Sequence, residues 1–338
     1  PGTPRVDELV PGFGQIEPSS SEFLFAPNQR AFAHARHTDE SGLLGLEWRF
    51  DLAWQRIVDD RVTRDFGAPV RRLEDNRSDL YAATVSAAGE SGRLSWIAGA
   101  EYYYDEVRSA RIEELVATGE QTAIASRFPD GSTVKQAALY GNADRRIADA
   151  HLVSGGLRFS HVEVGLAETG LAVRGTLDVS DLRGDLGWVY DWTDSIKLVA
   201  NAGFGFRAPN VFDLGTLGNR PGNRFNIPNA DLDSEHVVQV DIGLRRHAGD
   251  LRWEILAYAL EYDDRITSIG TGEVTPDGRD VVQSVNAARA DVRGIEASIE
   301  IDFGKSLTLT GAVNYAYGRQ RVQGAGAEPA DRIPPLNG

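Results

Sequence analysis

Runs of alternating residues recur along this chain from about residue 22 to its end, and they are joined by connections of two kinds. A run closes in a very short polar turn, a second run follows, and then comes a long irregular polar segment. The rhythm is clearest at 195–264. Ile196, Leu198, Ala200, Ala202, Phe204 and Phe206 alternate with Lys197, Val199, Asn201, Gly203 and Gly205. A long segment runs from Arg207 to about Glu235, after which Val238, Val240, Ile242 and Leu244 alternate with Gln239, Asp241, Gly243 and Arg245. The turn His247-Ala248-Gly249-Asp250 then leads into the next run. Short turns on one rim and long loops on the other, joining period-two strands, are the pattern of a transmembrane β-barrel.

The alternation has a direction. At 43–55, Leu44, Leu46, Trp48, Phe50, Leu52 and Trp54 share one face, while Gly45, Glu47, Arg49, Asp51, Ala53 and Gln55 share the other. Soluble strands run to about 5–6 residues, whereas a tilted membrane strand needs about 9–11. A β-sandwich also alternates, but with its apolar face turned onto a second sheet. Lipid outside and a wet polar lumen inside explain stripes of this length more simply. The mean hydropathy of -0.31 does not contradict this, because half of each barrel strand faces water. No stretch of 18 or more apolar residues is present, so the sequence predicts no membrane-crossing helix. Cysteine is absent, which excludes disulfides, thiol nucleophiles and thiolate metal sites. The net charge of -15 argues against nucleic acid as a partner.

The spacing predicts about twelve strands, near 22–36, 43–58, 77–88, 93–107, 133–146, 151–163, 173–191, 195–206, 236–247, 251–264, 281–303 and 306–318. Short connections fall near 37–42, 89–92, 147–150, 192–194, 248–250 and 304–305. Long ones fall near 59–76, 108–132, 164–172, 207–235, 265–280 and 319–338. No linker divides the chain, so residues 1–338 are read as one domain. Pro1 at the start and a loop-like end at Asp331–Gly338 suggest a piece of a longer chain. Trp96, Trp192 and Trp253 lie near short turns. Tyr102, Tyr104, Phe204, Phe206, Tyr258, Tyr262, Tyr315 and Tyr317 lie toward the long loops, an arrangement expected of two aromatic girdles.

Several segments resemble those of TonB-dependent outer-membrane receptors. Phe204-Gly205-Phe206-Arg207-Ala208-Pro209, followed by Leu214, resembles their "GFRAP…L" segment, and Asn229-Ala230-Asp231-Leu232-Asp233-Ser234-Glu235 looks like a variant of "NPxLxPE". Asn286, Ala287, Gly294 and Glu296 resemble the "N…A…GxE" strand, and Arg332-Ile333-Pro334-Pro335 the "R-x-P" loop. Thr3–Leu9 is similar to a mid-barrel loop of the family. The resemblance implies a partial antiparallel up-and-down barrel, about 12 strands of a parent with about 22. It also implies that a plug domain and the last strands lie outside this chain. The function implied is active uptake of a scarce nutrient across the outer membrane of a Gram-negative bacterium, driven through the TonB complex.

The residues narrow the ligand less. Between Asn210 and Pro228 there is no His, which weighs against heme as cargo, since heme-uptake members are said to carry one there. Arg207, Asn210, Asn219, Arg220, Asn223 and Arg224 are the loop candidates for contact with a small-molecule ligand such as a ferric siderophore, because guanidinium forks suit carboxylate and catecholate oxygens. The commoner role of such residues is a solvated loop, and Arg207 with Pro209 reads as loop-shaping. Asp231, Asp233 and Glu235 alternate like oxygen ligands for a cation but more simply open a strand. His34 and His37 point to opposite faces of a strand, so no shared metal is expected. No cofactor is predicted, no G-x-S-x-G, H-E-x-x-H or P-loop is present, and the chain is read as a monomeric non-enzyme in contact with outer-membrane lipid. A passive porin and an outer-membrane barrel hydrolase are the alternatives.

Overall fold

The computed structural model describes residues 20–40, 42–167, 175–215, 218–220, 224–229, 231–322 and 326–329. The Thr3–Leu9 and Arg332–Pro335 segments lie outside them. Twelve long strands form one antiparallel wall in chain order: β1 (Ser20–Asp39), β2 (Glu47–Asp65), β3 (Val70–Ser91), β4 (Leu94–Leu115), β6 (Ser132–Ala148), β7 (His151–Leu166), β8 (Gly175–Asp191), β9 (Ile196–Arg207), β12 (Glu235–Ala248), β13 (Leu251–Val274), β14 (Asp280–Phe303) and β15 (Leu307–Val322). Four short strands decorate it: β5 (Glu120–Ile124), β10 (Gly218–Arg220), β11 (Arg224–Ile227) and β16 (Ala327–Pro329). All twelve predicted strands are present, and the architecture is that of a partial up-and-down barrel. The tight turns are set by glycines that adopt positive φ, such as Gly92 at +63° and Gly249 at +57°, where an L side chain would be strained.

Register assigns the faces. Leu52 lies opposite Ala35 and Ala83, Leu139 opposite Phe159, and Ile242 opposite Ala200 and Ala257. These outward side chains carry no second layer among the described residues: Leu52 is 63 % exposed, Leu157 65 % and Leu182 63 %. A sandwich would bury them, whereas hydrocarbon covers them in a barrel. The opposite face carries polar pairs, including Asp51 with His34 and Arg36, both at 2.7 Å, and Asn201 with Asp241 at 2.6 Å. His37 stacks instead on the outward Phe50, so the two histidines are divided between faces as expected.

Two expectations are corrected. The predicted long loops at 59–76 and 265–280 are largely strand. β2 and β3 are joined only by residues 66–69, β13 and β14 only by 275–279, and β4 continues to Leu115. Beyond the bilayer both faces of a ribbon meet water, so the apolar stripe that betrays a strand disappears while the ladder persists. Cross-strand pairs such as Arg71–Glu114 at 2.6 Å and Arg72–Glu113 at 3.2 Å replace it. The girdle assignment also needs amending. Trp96, Trp192, Trp253, Tyr102, Tyr104, Phe204, Phe206, Tyr315 and Tyr317 occupy outward positions or the turn beside one, but Tyr258 and Tyr262 alternate with the outward Ala257 and Ala259 and face the lumen. The Tyr258 ring lies over Gly294, its partner across the ladder. Tyr140 lies over Gly99 in the same way.

Polarity inverts at the long-loop end of the wall. On β7 the outward residues change from Leu157 and Phe159 to His161 and Glu163, while the inward ones become Val162, Val164 and Leu166. These inward residues, with Val211, Leu214 and Leu232 of the β9–β12 connection, form a buried cluster inside the mouth of the barrel.

A candidate ligand-binding mouth

The β9–β12 connection leaves the wall at Arg207 and turns inward because its polar groups are satisfied there. Asn210 opens the short helix α1 (Val211–Gly215) as its N-cap. Its Oδ1 accepts from the backbone N–H groups of Phe212 at 2.8 Å and Asp213 at 3.1 Å, and the Asp213 carboxylate accepts from Asn210 N at 3.1 Å. This reciprocal arrangement is a capping box. Leu214, 1 % exposed, then drops into the apolar cluster.

Arg207 joins the two ends of the connection. Its Nε and one η nitrogen donate to the two oxygens of Glu235 at 2.8 Å each, and the other η nitrogen to Asp213 at 2.6 Å. Both residues lie beyond the last outward apolar side chains, Phe206 and Val238. Burial opposes ionisation of Glu235, yet the Arg207 fork and the backbone N–H of Ile266 hold its carboxyl below the ordinary glutamate value. Arg207 is correspondingly raised by its hydrogen bonds to Glu235 and Asp213, against burial.

Further on, β11 adds to β14 in parallel, Arg224 opposite Asp280. The strand is held by Gln283 Nε2 donating to Pro228 O at 2.9 Å and Asn229 Nδ2 to Ser284 O at 2.8 Å. Asn286 accepts from Asp233 N at 2.8 Å and donates to Asp233 O at 2.9 Å and Asp264 O at 2.8 Å. The β10–β11 hairpin sets Arg220 across from Arg224 and Asn219 across from Phe225, and Asn223 lies outside the described residues. The six loop candidates therefore divide. Arg207 and Asn210 hold the connection in shape, and Asn219, Arg220 and Arg224 belong to the hairpin it adds to the upper end of β14. Asp231, Asp233 and Glu235 do not converge: Asp231 takes its backbone contact from Asn229, Asp233 from Asn286, and Glu235 pairs with Arg207.

Facing α1 across the mouth is a polar cluster that sequence reasoning missed. The buried Glu74 accepts from Arg111 at 2.9 Å and Arg127 at 3.4 Å, and Arg61 pairs with Asp59. Asn76 accepts from Ser109 Oγ at 2.8 Å, and Ser109 N donates to Asp130 at 3.0 Å. Burial, with Arg61 and Arg111 nearby, lowers the Arg127 pKa below the ordinary arginine value in spite of Glu74. Among the described residues, Asp59 Oδ1 and Arg127 Nε are buried without a hydrogen-bond partner. Between this cluster and α1 lies a cavity of about 320 Å³ lined by Asp59, Asn76, Asp105, Phe128, Asn210 and Phe212. Its members lie in segments read as loops, so strand pairing across them was invisible. Same-face repeats such as Arg72 and Glu74, or Arg111 and Glu113, were the available signal.

Comparison with known proteins gives this wall its family. The profile described as TonB dependent receptor-like, beta-barrel, matches residues 9–338. The chain belongs to this family. The members of the TonB-dependent receptor family reside in the outer membrane of Gram-negative bacteria, and that is where this chain belongs. Solved structures share the fold at low identity. The copper transporter OprC aligns with a TM-score of 0.72 at 17% identity, over 88% of this chain and 47% of its own. The ferric citrate transporter FecA in its unliganded form gives 0.69 at 14%, over 91% and 45%. The ferric yersiniabactin uptake receptor FyuA from Yersinia pestis gives 0.64 at 14%, over 90% and 45%. The chain thus spans about half the length of these receptors. The motifs of the resemblance acquire structural reasons as well. The "GFRAP" and "NPxLxPE" segments meet in the Arg207–Glu235 pair. In the "N…A…GxE" strand, Asn286 clamps the connection, Gly294 receives the Tyr258 ring and Glu296 accepts from Asn314 Nδ2 at 2.8 Å.

Proposed function

We propose that the parent protein is an active-transport receptor that binds a ferric siderophore or similar anionic iron chelate at this mouth and imports it with energy delivered through TonB. A plug domain supplied by the rest of the chain would complete the site. The observation that carries the reading is the inward-folded β9–β12 connection: a latched, packed loop inside the mouth, whose Arg220–Arg224 hairpin pairs onto the upper end of β14 at the rim of a lipid-facing wall. Guanidinium forks suit the carboxylate and catecholate oxygens of iron chelates, and FecA and FyuA, which share the fold, are described as receptors for ferric chelates. A bare soft metal as cargo is less well served here, since residues 1–338 contain neither Cys nor Met.

The test is uptake of radiolabelled iron by cells carrying the full-length receptor as their sole route, with a panel of chelates. Saturable uptake of one chelate, abolished by a protonophore, is expected. Uptake that persists unchanged without the proton gradient would make the protein a passive pore and overturn the proposal.

A further inference from the structure

The cavity beneath α1 sets one uncompensated carboxylate among apolar side chains. Its floor is the inward face of β2, β3, β4 and β6, where Ile57, Val107 and Val134 surround Ser78 and Asp105, and its roof is Phe128, Val211 and Phe212. Asp105 is half-buried and lies opposite Val134 across the β4–β6 ladder. We propose, resting on the transport reading above, that this cavity takes a protonated primary amine carried on a short alkyl arm of the cargo. The ammonium sits on Asp105, and the methylenes run between the valines of the floor and the phenylalanines of the roof.

Asp105 accepts from Ser78 Oγ at 2.6 Å, and no cation pairs with it among the described residues. Each neighbouring inward cation is engaged elsewhere. Arg61 pairs with Asp59, and Arg111 and Arg127 with Glu74. Arg30, across the ladder from Ile57, donates to Gln55 at 2.8 Å. Arg77 borders the cavity but turns its guanidinium outward to Asp79 at 3.0 Å. On the roof side a single Arg207 serves two carboxylates, Asp213 and Glu235. A carboxylate in apolar surroundings has lost hydration that a charged donor restores, and an ammonium is such a donor. Size limits the guest. At about 320 Å³ the cavity lies at the lower end of the ~300–1,000 Å³ of small-molecule pockets, so it admits an arm and not a whole iron chelate. The apolar floor suits an aliphatic stem better than a hydroxylated one, which would leave its hydroxyls unpaired there.

The test uses the full-length receptor in detergent and two water-soluble probes of equal length, a straight-chain aminopentanol and the corresponding pentanediol, followed by saturation-transfer NMR at neutral pH. Heat-modifiable gel migration checks that each variant is folded. The amine should bind about tenfold more tightly than the diol, the range expected of a charge-assisted hydrogen bond. Asp105→Asn should erase that preference, whereas Asp75→Asn, which removes the same charge from an exposed outward position, should preserve it. Should Asp105→Asn not fold, Val134→Phe takes its place and should weaken both probes by filling the slot. Equal binding of amine and diol to the unaltered receptor would overturn the proposal. So would a preference that survives Asp105→Asn, a preference that Asp75→Asn lowers equally, or amine binding that Val134→Phe leaves unchanged. Neither probe contains iron or needs TonB. Iron uptake indifferent to the proton gradient would therefore sink the transport reading while leaving the amine preference in place, and loss of the preference alone would sink only the cavity's assignment.

Discussion

Tyr258 lies directly across the β13–β14 ladder from Gly294, and its ring fills the space a side chain there would need: a Cβ at Gly294 would fall 2.7 Å from Tyr258 Cε1. The glycine is thus the complement of an aromatic ring on the lumen face. Gly294→Val should displace the ring and destabilise the barrel by about 1–3 kcal/mol, the range of overpacking. Reversible unfolding of the full-length receptor in lipid should recover part of that loss in the Gly294→Val/Tyr258→Ala double variant, because residues in contact do not behave additively.

The two faces should respond unequally to charge. Ile242 looks into lipid and Asp241 into the lumen, where it accepts from Asn201. Ile242→Arg should cost about 2–4 kcal/mol near the midplane, whereas Asp241→Arg should stay well below that. Equal losses in the same unfolding assay would contradict the assignment of inside and outside.

Leu214 anchors α1 in the mouth. Its truncation to Ala should weaken the docked connection by about 2–5 kcal/mol, as for other buried leucines. The damage should remain local: limited proteolysis should cut within 208–234 faster, while the midpoint of global unfolding barely moves.

The Arg207–Glu235 latch should be sensitive to acid. Glu235 is held below its ordinary pKa of 4.5, so the stabilisation it provides is complete above that value and is lost as pH falls through the depressed folded value. Proteolytic protection of 208–234 should therefore drop in the acid range below 4.5. Glu235→Gln should show weaker protection that no longer varies with pH there. With Arg207 partly exposed, screening limits the loss to about 1–2 kcal/mol.

On the proposed function, Arg224→Gln should lower affinity for an anionic ferric chelate by about tenfold, the effect of one charge-assisted hydrogen bond. Isothermal titration would check this, with barrel assembly unchanged. Unaltered affinity in both Arg224→Gln and Arg220→Gln would remove the hairpin from the site.

The membrane-crossing part of this fold was legible because lipid imposes a strict rule. Along β9 and β12 each second residue had to be apolar, and the strands predicted there agree with those observed to within a residue or two. Where lipid ends, so does the rule. The upper halves of β2, β3, β13 and β14 carry charges on both faces, and only pairs between distant segments, such as Arg71 with Glu114, identify them as ribbons. The same limit hid the mouth. Glu74, Arg111 and Arg127 are far apart in sequence and meet only because β3 and β4 rise side by side and the β5–β6 connection folds back onto them. Tyr258 and Tyr262 were misplaced for a different reason: their distance from the loop was read correctly, but their parity was not.

The change of polarity along β7 means that one strand is read by two solvents at once, with opposite demands. Sliding it by a single residue would send Leu157 and Phe159 into the wet channel and, in the same movement, strip Val162 and Val164 from beneath α1. Neither error could compensate the other. Alignment of this staff against its neighbours is therefore enforced independently from both ends, and a one-residue insertion at its centre is the smallest lesion that no local adjustment of the mouth or of the lipid-facing belt can absorb.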